Sequence, residues 1–182
     1  DFQKRINNEL IANIGNFIHR TLSFIWSNYD GEVPEAEKLD ELDRELEERI
    51  RTIANDVARE INKNELSKGL RRITEFAAFC NQYFQRKQPW ADKNGAKTAL
   101  YLCANAVRSL AILLEPYLPF SADRLWQQLN LEGTVHEQDW NSASELKIPS
   151  RHQINKPAVL FKKVEDKDIS REREKLQKLT TN

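Results

Sequence analysis

An all-α fold, an antiparallel helix bundle of about five helices with an irregular C-terminal tail, is predicted by three observations. Apolar residues recur at three- and four-residue spacing through five successive stretches, no stretch alternates as a half-buried strand does, and only five glycines and six prolines interrupt 182 residues. At 40% apolar and 31% charged, the chain carries enough apolar matter for one substantial core. It divides into a bundle over 1–131 and a segment over 132–182, irregular and then helical, expected to pack back on the bundle or on a neighbouring domain.

The first helix is predicted over 2–29, where Ile11, Ile14, Ile18, Leu22 and Ile25 fall on one line. Gly15 and Asn16 interrupt it with poor helix formers, so something is expected to approach the backbone closely there. The second runs from Glu35 to about Lys63 through Leu39, Leu42, Leu46, Ile50, Ile53 and Val57. The third covers 65–88 and is stopped by Pro89. The fourth, 93–115, has the most apolar stripe. Pro116 and Pro119 make a corner, and Ser121 to Leu131 form a short fifth helix presenting Leu125, Trp126 and Leu129. Gly133, Pro149 and Pro157 mark the irregular segment, within which Ala158-Val-Leu-Phe161 is a short apolar patch, and 167–182 can form one polar helix.

Composition excludes several classes. No run approaches twenty apolar residues and no leader pattern opens the chain, so a soluble, cytoplasmic protein without membrane association is expected. The opening at Asp1 and the absence of methionine suggest a piece of a longer protein. Cys80 and Cys103 read as reduced core residues. No metal-ligand spacing, phosphate loop or nucleophile motif occurs, and His19, His136 and His152 stand apart from acids and thiols. No catalytic residue and no metal site is therefore assigned.

Charge is neutral overall but segregated. Residues 35–60 hold ten acids against five bases, and residues 61–98 hold eight bases against three acids. Either these stripes face each other as paired helices, or the second is a basic patch for phosphate made of Arg71, Arg72, Arg86, Lys87, Lys93 and Lys97. Trp90 follows Pro89 among polar neighbours, as an aromatic placed to stack on an unpaired base would, or as a partly buried cap. Trp26, Trp126 and Trp140 are expected to pack. Asn16 and Arg20, four apart, project from one helix face away from the apolar stripe.

The stretch Asn8-Glu-Leu-Ile-Ala-Asn-Ile-Gly-Asn-Phe-Ile-His-Arg20, with Pro89-Trp90 ending the third helix and Pro119-Phe-Ser-Ala-Asp-Arg-Leu-Trp126 opening the fifth, resembles the anticodon-binding domain of methionyl-tRNA synthetases. Pro157-Ala-Val-Leu-Phe-Lys-Lys-Val-Glu-Asp166 is similar to the segment that folds back toward the catalytic domain in that family. The resemblance implies that Asn16, Arg20, Pro89 and Trp90 contact the CAU anticodon, chiefly its first base, of tRNA(Met). It also implies a non-catalytic fragment of a methionine-tRNA ligase, with the catalytic domain of the same polypeptide as its second partner. No cofactor is expected in the fragment itself; ATP and zinc are implied for the whole enzyme. Anticodon bundles of the isoleucyl, valyl, leucyl and cysteinyl enzymes are an alternative. A helical protein-interaction module, anchored by Trp90 and the 158–161 patch, is another.

Overall fold

The computed structural model describes residues 6–92 and 95–180. Among them the secondary structure is helical, with a single isolated bridge between Glu32 and Gln153. The all-α bundle expected from the periodicity is the fold observed.

The first helix changes pitch partway. Ile6–Gly15 form a π-helix, and Asn16–Asn28 continue as an α-helix, α1, where the periodicity predicts one α-helix from residue 2 onward. The change falls at the two poor helix formers, and bonds from outside hold that turn. Asn81 Nδ2 donates to the Asn13 carbonyl at 2.9 Å and to Asn13 Oδ1 at 3.1 Å, while Asn13 Nδ2 donates to the Thr74 carbonyl at 3.3 Å. A carbonyl engaged by a side chain from another helix favours an altered ladder. The close approach expected at Gly15 is made by the chain itself: a Cβ there would lie 3.0 Å from the Phe161 ring.

Helix α2 spans Glu41–Ile61, six residues later than its acidic pattern suggests. Asp40 and Asp43 decide its start by forming a capping box, each carboxylate accepting the other's backbone N–H at 2.9 and 3.0 Å. Residues 33–40 run outside helix, tied to the core helix by the Glu37 N–H donating to Thr98 Oγ1 at 2.8 Å. Helix α3 is Leu66–Lys87, and α4 is Lys97–Leu114. The latter is long and apolar enough to cross a membrane, yet 89% of it is buried in the bundle, where it touches α1, α2, α3 and the following helix. Its apolarity serves the core.

Helix α5, Pro119–Gln128, starts with Pro119 in its first turn, where a missing N–H has no cost, two residues earlier than expected. The ion pairs Glu60–Arg72 at one end and Asp40–Lys87 at the other show α2 and α3 antiparallel. Asn13 meeting Thr74 and Arg20 meeting Gln85 show that the first helix runs parallel to α3.

The segment after α5 lies along the bundle. Two 3-10 helices follow, Val135–Glu137 and Trp140–Ser144, and buried polar groups of α4 clamp the second and the stretch after it. Arg108 donates to the Ser142 carbonyl at 2.6 Å and Ser109 to the Ala143 carbonyl at 2.6 Å, while Asn105 Oδ1 accepts the Ile148 N–H at 2.9 Å. Beyond them, Arg124 donates to the Leu160 carbonyl at 3.2 Å and Asn7 exchanges two 3.0 Å bonds with the backbone of Val164. Leu160 is buried and Phe161 packs on the core, so the apolar patch over 158–161 turns inward and leaves Val159 exposed. The chain then forms an exposed polar helix, α6, Asp166–Thr180.

Cys80 and Cys103 are buried free thiols, and Trp126 is core: 3% exposed, its Nε1 donates to the Glu132 carbonyl and the Arg108 guanidinium lies 5.7 Å from its ring. Trp126→Ala is expected to lower unfolding stability by about 3 to 5 kcal/mol, read from urea melts followed by circular dichroism.

Candidate nucleic-acid interface

Helix α3 ends at Lys87 because Pro89 cannot supply the next amide hydrogen. Gln88 turns into the left-handed region, φ 44 and ψ 59, and its carbonyl accepts the Ala91 N–H at 2.8 Å. An L residue takes that conformation only when its surroundings impose it. Pro89 is buried, so it offers no face to a ligand; its place in the expected site becomes that of a wedge that turns Trp90 outward. Trp90 is left 49% exposed.

Beneath Trp90 lies Phe84, a residue of the apolar stripe, 3% exposed. The Trp90 and Phe84 ring centroids are 6.3 Å apart at 40°, and Phe84 meets Phe24 edge to face at 6.2 Å. From α1, the Arg20 guanidinium sits 4.8 Å from the same Phe84 centroid and donates to Gln85 Oε1 at 3.2 Å. Arg20 and Trp90 are thus within about 11 Å of each other, the two ring contacts laid end to end. Asn16, one turn before Arg20, is exposed. Arg20 therefore lies one turn from Asn16 and against the same ring as Trp90.

That face opens into a groove of about 600 Å³ between the first helix and α3, lined by Ala12, Asn13, Asn16, Arg20, Asn81, Gln82, Gln85 and Arg86. Its lining holds amides and guanidiniums and no carboxylate. A second groove of about 450 Å³ lies on the other side of Asn16, against Val159, Leu160 and Phe161. Sequence reasoning missed the four α3 residues Asn81, Gln82, Gln85 and Phe84. The polar pairs 81/85 and 82/86, each at helical spacing next to Trp90, were the available signal.

The basic residues divide. Lys87 turns inward, its side chain 12% exposed, with Nζ 2.8 Å from both Asp40 and Asp43. Tyr83 donates to the same Asp43 oxygen at 2.5 Å, and burial pushes the Tyr83 phenol far above its usual range, so it stays a donor. Arg72 pairs with Glu60 and Glu75, and Lys97 with Glu37. The acidic and basic stripes therefore face each other, and of the six residues expected to form a phosphate patch, Lys87 is engaged in the fold and Arg72 and Lys97 are held in ion pairs. Arg71 and Arg86 are exposed and form no ion pair among the described residues. Lys93 lies outside the described residues.

The fold is thus an all-α bundle with an exposed Trp beside an acid-free groove. Residues 43–179 match the family model described as the anticodon-binding domain of tRNA ligase; the chain belongs to that family. It is 40% identical over 173 residues to a methionine-tRNA ligase of Pyrococcus abyssi and 39% identical over 175 residues to that of Methanopyrus kandleri, alignments covering 93% and 94% of this chain. They cover 23% and 25% of those relatives. Among solved structures, the apo methionyl-tRNA synthetase of Mycobacterium tuberculosis superposes with a TM-score of 0.81 at 26% identity, over 90% of this chain and 34% of that one. The likeness to the anticodon-binding domain of methionyl-tRNA synthetases read from the sequence is thereby established.

The Asp40–Lys87–Asp43 cluster makes stability depend on pH at both ends. Hydrogen bonds from Lys87 and the Asp43 backbone hold the Asp40 carboxyl below its usual 3.8, so its contribution is present above that value and is lost as pH falls through the lowered one. Burial pulls the Lys87 ammonium down, but its bonds to Asp40 and Asp43 outweigh this and raise it above 10.5; that contribution is full below 10.5 and is lost as pH rises past it. Asp43→Asn leaves a mostly buried ammonium short of its inner partner and is expected to cost about 3 kcal/mol or more. Glu37→Gln, which breaks the exposed pair with Lys97, is expected to cost under about 1 kcal/mol. Urea melts at neutral pH compare the two.

Proposed function

We propose that this chain is the part of a cytoplasmic methionine-tRNA ligase that reads the CAU anticodon of tRNA(Met), with Trp90, Arg20 and Asn16 reading the first base. The observation that carries the proposal is the shared ring: Phe84 supports Trp90 and Arg20 at once, one turn from Asn16. The high identity to methionine-tRNA ligases supports that specificity over the other class I bundles.

Anticodon bases are unpaired, so they can be splayed out and read along their pairing edges. A base laid on the open face of Trp90 gains about 1 to 3 kcal/mol from stacking. Arg20 only donates, and cytosine turns two acceptors, O2 and N3, toward it. Uracil carries a hydrogen at N3, so donor would face donor. Asn16 both donates and accepts, and its surface position lets it follow the remaining polar atom. Gln85 and Phe84 hold Arg20 before any base arrives, which lowers the ordering entropy lost on binding. Arg71 and Arg86 are the exposed cations left to meet backbone phosphates. Chemistry on methionine, with its ATP and any zinc, is assigned to the catalytic domain of the same polypeptide. Among the described residues, no three His, Cys, Asp or Glu side chains are grouped to hold a metal.

Trp90→Ala is expected to weaken a CAU stem-loop about five-fold to more than a hundred-fold. Because half its ring is already exposed, its melting point should move far less than that of Trp126→Ala. Arg20→Ala is expected to abolish the preference for CAU over UAU, whereas Arg71→Ala weakens both loops alike and lowers the salt slope. Fluorescence titrations at two salt concentrations read all three. Equal losses on CAU and UAU from Arg20→Ala would make Arg20 a phosphate clamp.

A further inference from the structure

We propose that Lys87 is a positioning residue for Trp90: held between Asp40 and Asp43, its ammonium pins the end of α3 and so sets where the indole stands. The inference rests on the reading of Trp90 as a base platform and adds the device that orients it, on the α2 side of α3.

Phe84 gives the indole a floor but does not fix it. The two rings meet at 40°, neither stacked nor edge to face, and Trp90 is half exposed. Its place is therefore decided by the backbone that delivers it. That backbone passes through Gln88 in the left-handed region, which a residue with a side chain occupies only under constraint. The constraint has two ends. On one side of Gln88, Pro89 is buried. On the other, Lys87 places Nζ 2.8 Å from Asp40 Oδ2 and 2.8 Å from Asp43 Oδ1, at the last residue of a helix, where fraying otherwise begins.

The anchor is itself held. Asp40 and Asp43 each accept the other's backbone N–H in the capping box that starts α2, and Tyr83, one turn before Lys87, donates to Asp43. Because α2 and α3 are antiparallel, the acids lie at the positive end of one helix dipole and the ammonium at the negative end of the other, and both placements are favourable. One side chain thus ties the last residue of α3 to the first turn of α2. Lys87 is not a phosphate contact in this arrangement: its side chain is 12% exposed and both its partners are carboxylates, so a phosphate would have to displace an aspartate.

Without the anchor, the last turn of α3 frays, Gln88 leaves the left-handed region, and Trp90 samples positions from which an arriving base must recover it. That ordering lowers affinity. Stacking is tolerant of base identity, so the loss falls on CAU and UAU loops alike, while Arg20 keeps its preference between them.

The test is a double-mutant cycle on this chain, read as dissociation constants for CAU and UAU stem-loops at low salt. Lys87→Met keeps the aliphatic stem and removes the anchor. It is expected to weaken both loops about three-fold or more, with the CAU to UAU ratio and the salt slope kept. In a Trp90→Ala background the same substitution is expected to cost nothing further, because no indole is left to place. Asp40→Asn supplies a test of sign: asparagine still caps α2, and loss of an acid strengthens binding to a polyanion through charge alone, whereas loosening Lys87 is expected to weaken it about two-fold, again only while Trp90 is present. Should Lys87→Met fail to fold, Asp40→Asn with and without Trp90 decides. Equal losses from Lys87→Met in both backgrounds, a salt slope lowered by one phosphate contact, or tighter binding by Asp40→Asn overturns the assignment. Weakening by Trp90→Ala with none by Lys87→Met overturns this inference alone. Unchanged affinity in Trp90→Ala overturns the reading of Trp90 as a base platform as well.

Discussion

The buried ring of Phe84 is the fixed point of this molecule. Its inner edge belongs to the apolar core through Phe24, and its outer surface is the floor on which Arg20 and Trp90 rest. A guanidinium and an indole on a surface would each sample many rotamers; set on one immobile ring, they are ordered by the same packing that orders the core. Phe84 thus belongs both to the core and to the support of Arg20 and Trp90.

Charge is arranged around that ring in two ways. On the side toward α2, bases of α3 meet acids in an interhelical array that includes a buried ammonium between two aspartates. In the groove against the first helix, α3 presents amides and Arg86, which forms no ion pair among the described residues. A neutral chain thus keeps one acid-free face. Its attraction for a polyanion is local, directed to the groove, and a modest overall field leaves base contacts a larger share of any preference.

The bundle was legible because helical periodicity in 10- to 20-residue stretches is a strong signal, as in the stripe from Leu46 to Val57. The boundaries were less so. Asp40 and Asp43 form a capping box with aspartate in the position usually held by Glu or Gln, and that pattern hides inside an acidic run. The pitch change before Asn16 depends on Asn81, sixty-eight residues away, which no local pattern contains. Trp90, Asn16 and Arg20 stood out as polar or aromatic residues off the core stripes. Phe84 did not, since a residue on the stripe looks like any other core residue, and only three dimensions show that its far side lies under Arg20 and Trp90. Lys87 misled for the complementary reason: a lysine beside an exposed tryptophan reads as surface, while its partners Asp40 and Asp43 lie more than forty residues earlier.

The tie between Asn7 and the backbone of Val164 spans 157 positions of sequence. Together with Phe161 on Gly15, it makes the beginning of the first helix wait for the last irregular segment. During synthesis, α1 to α5 can pack together once α5 has emerged, since α4 joins α1, α2, α3 and α5, but the start of the first helix gains its ties to Phe161 and Val164 only after those residues have been made. Closing so long a loop costs little more than closing one of half the length, so the delay is one of order more than of energy. The start of the first helix is accordingly among the last parts of the chain to take its final form.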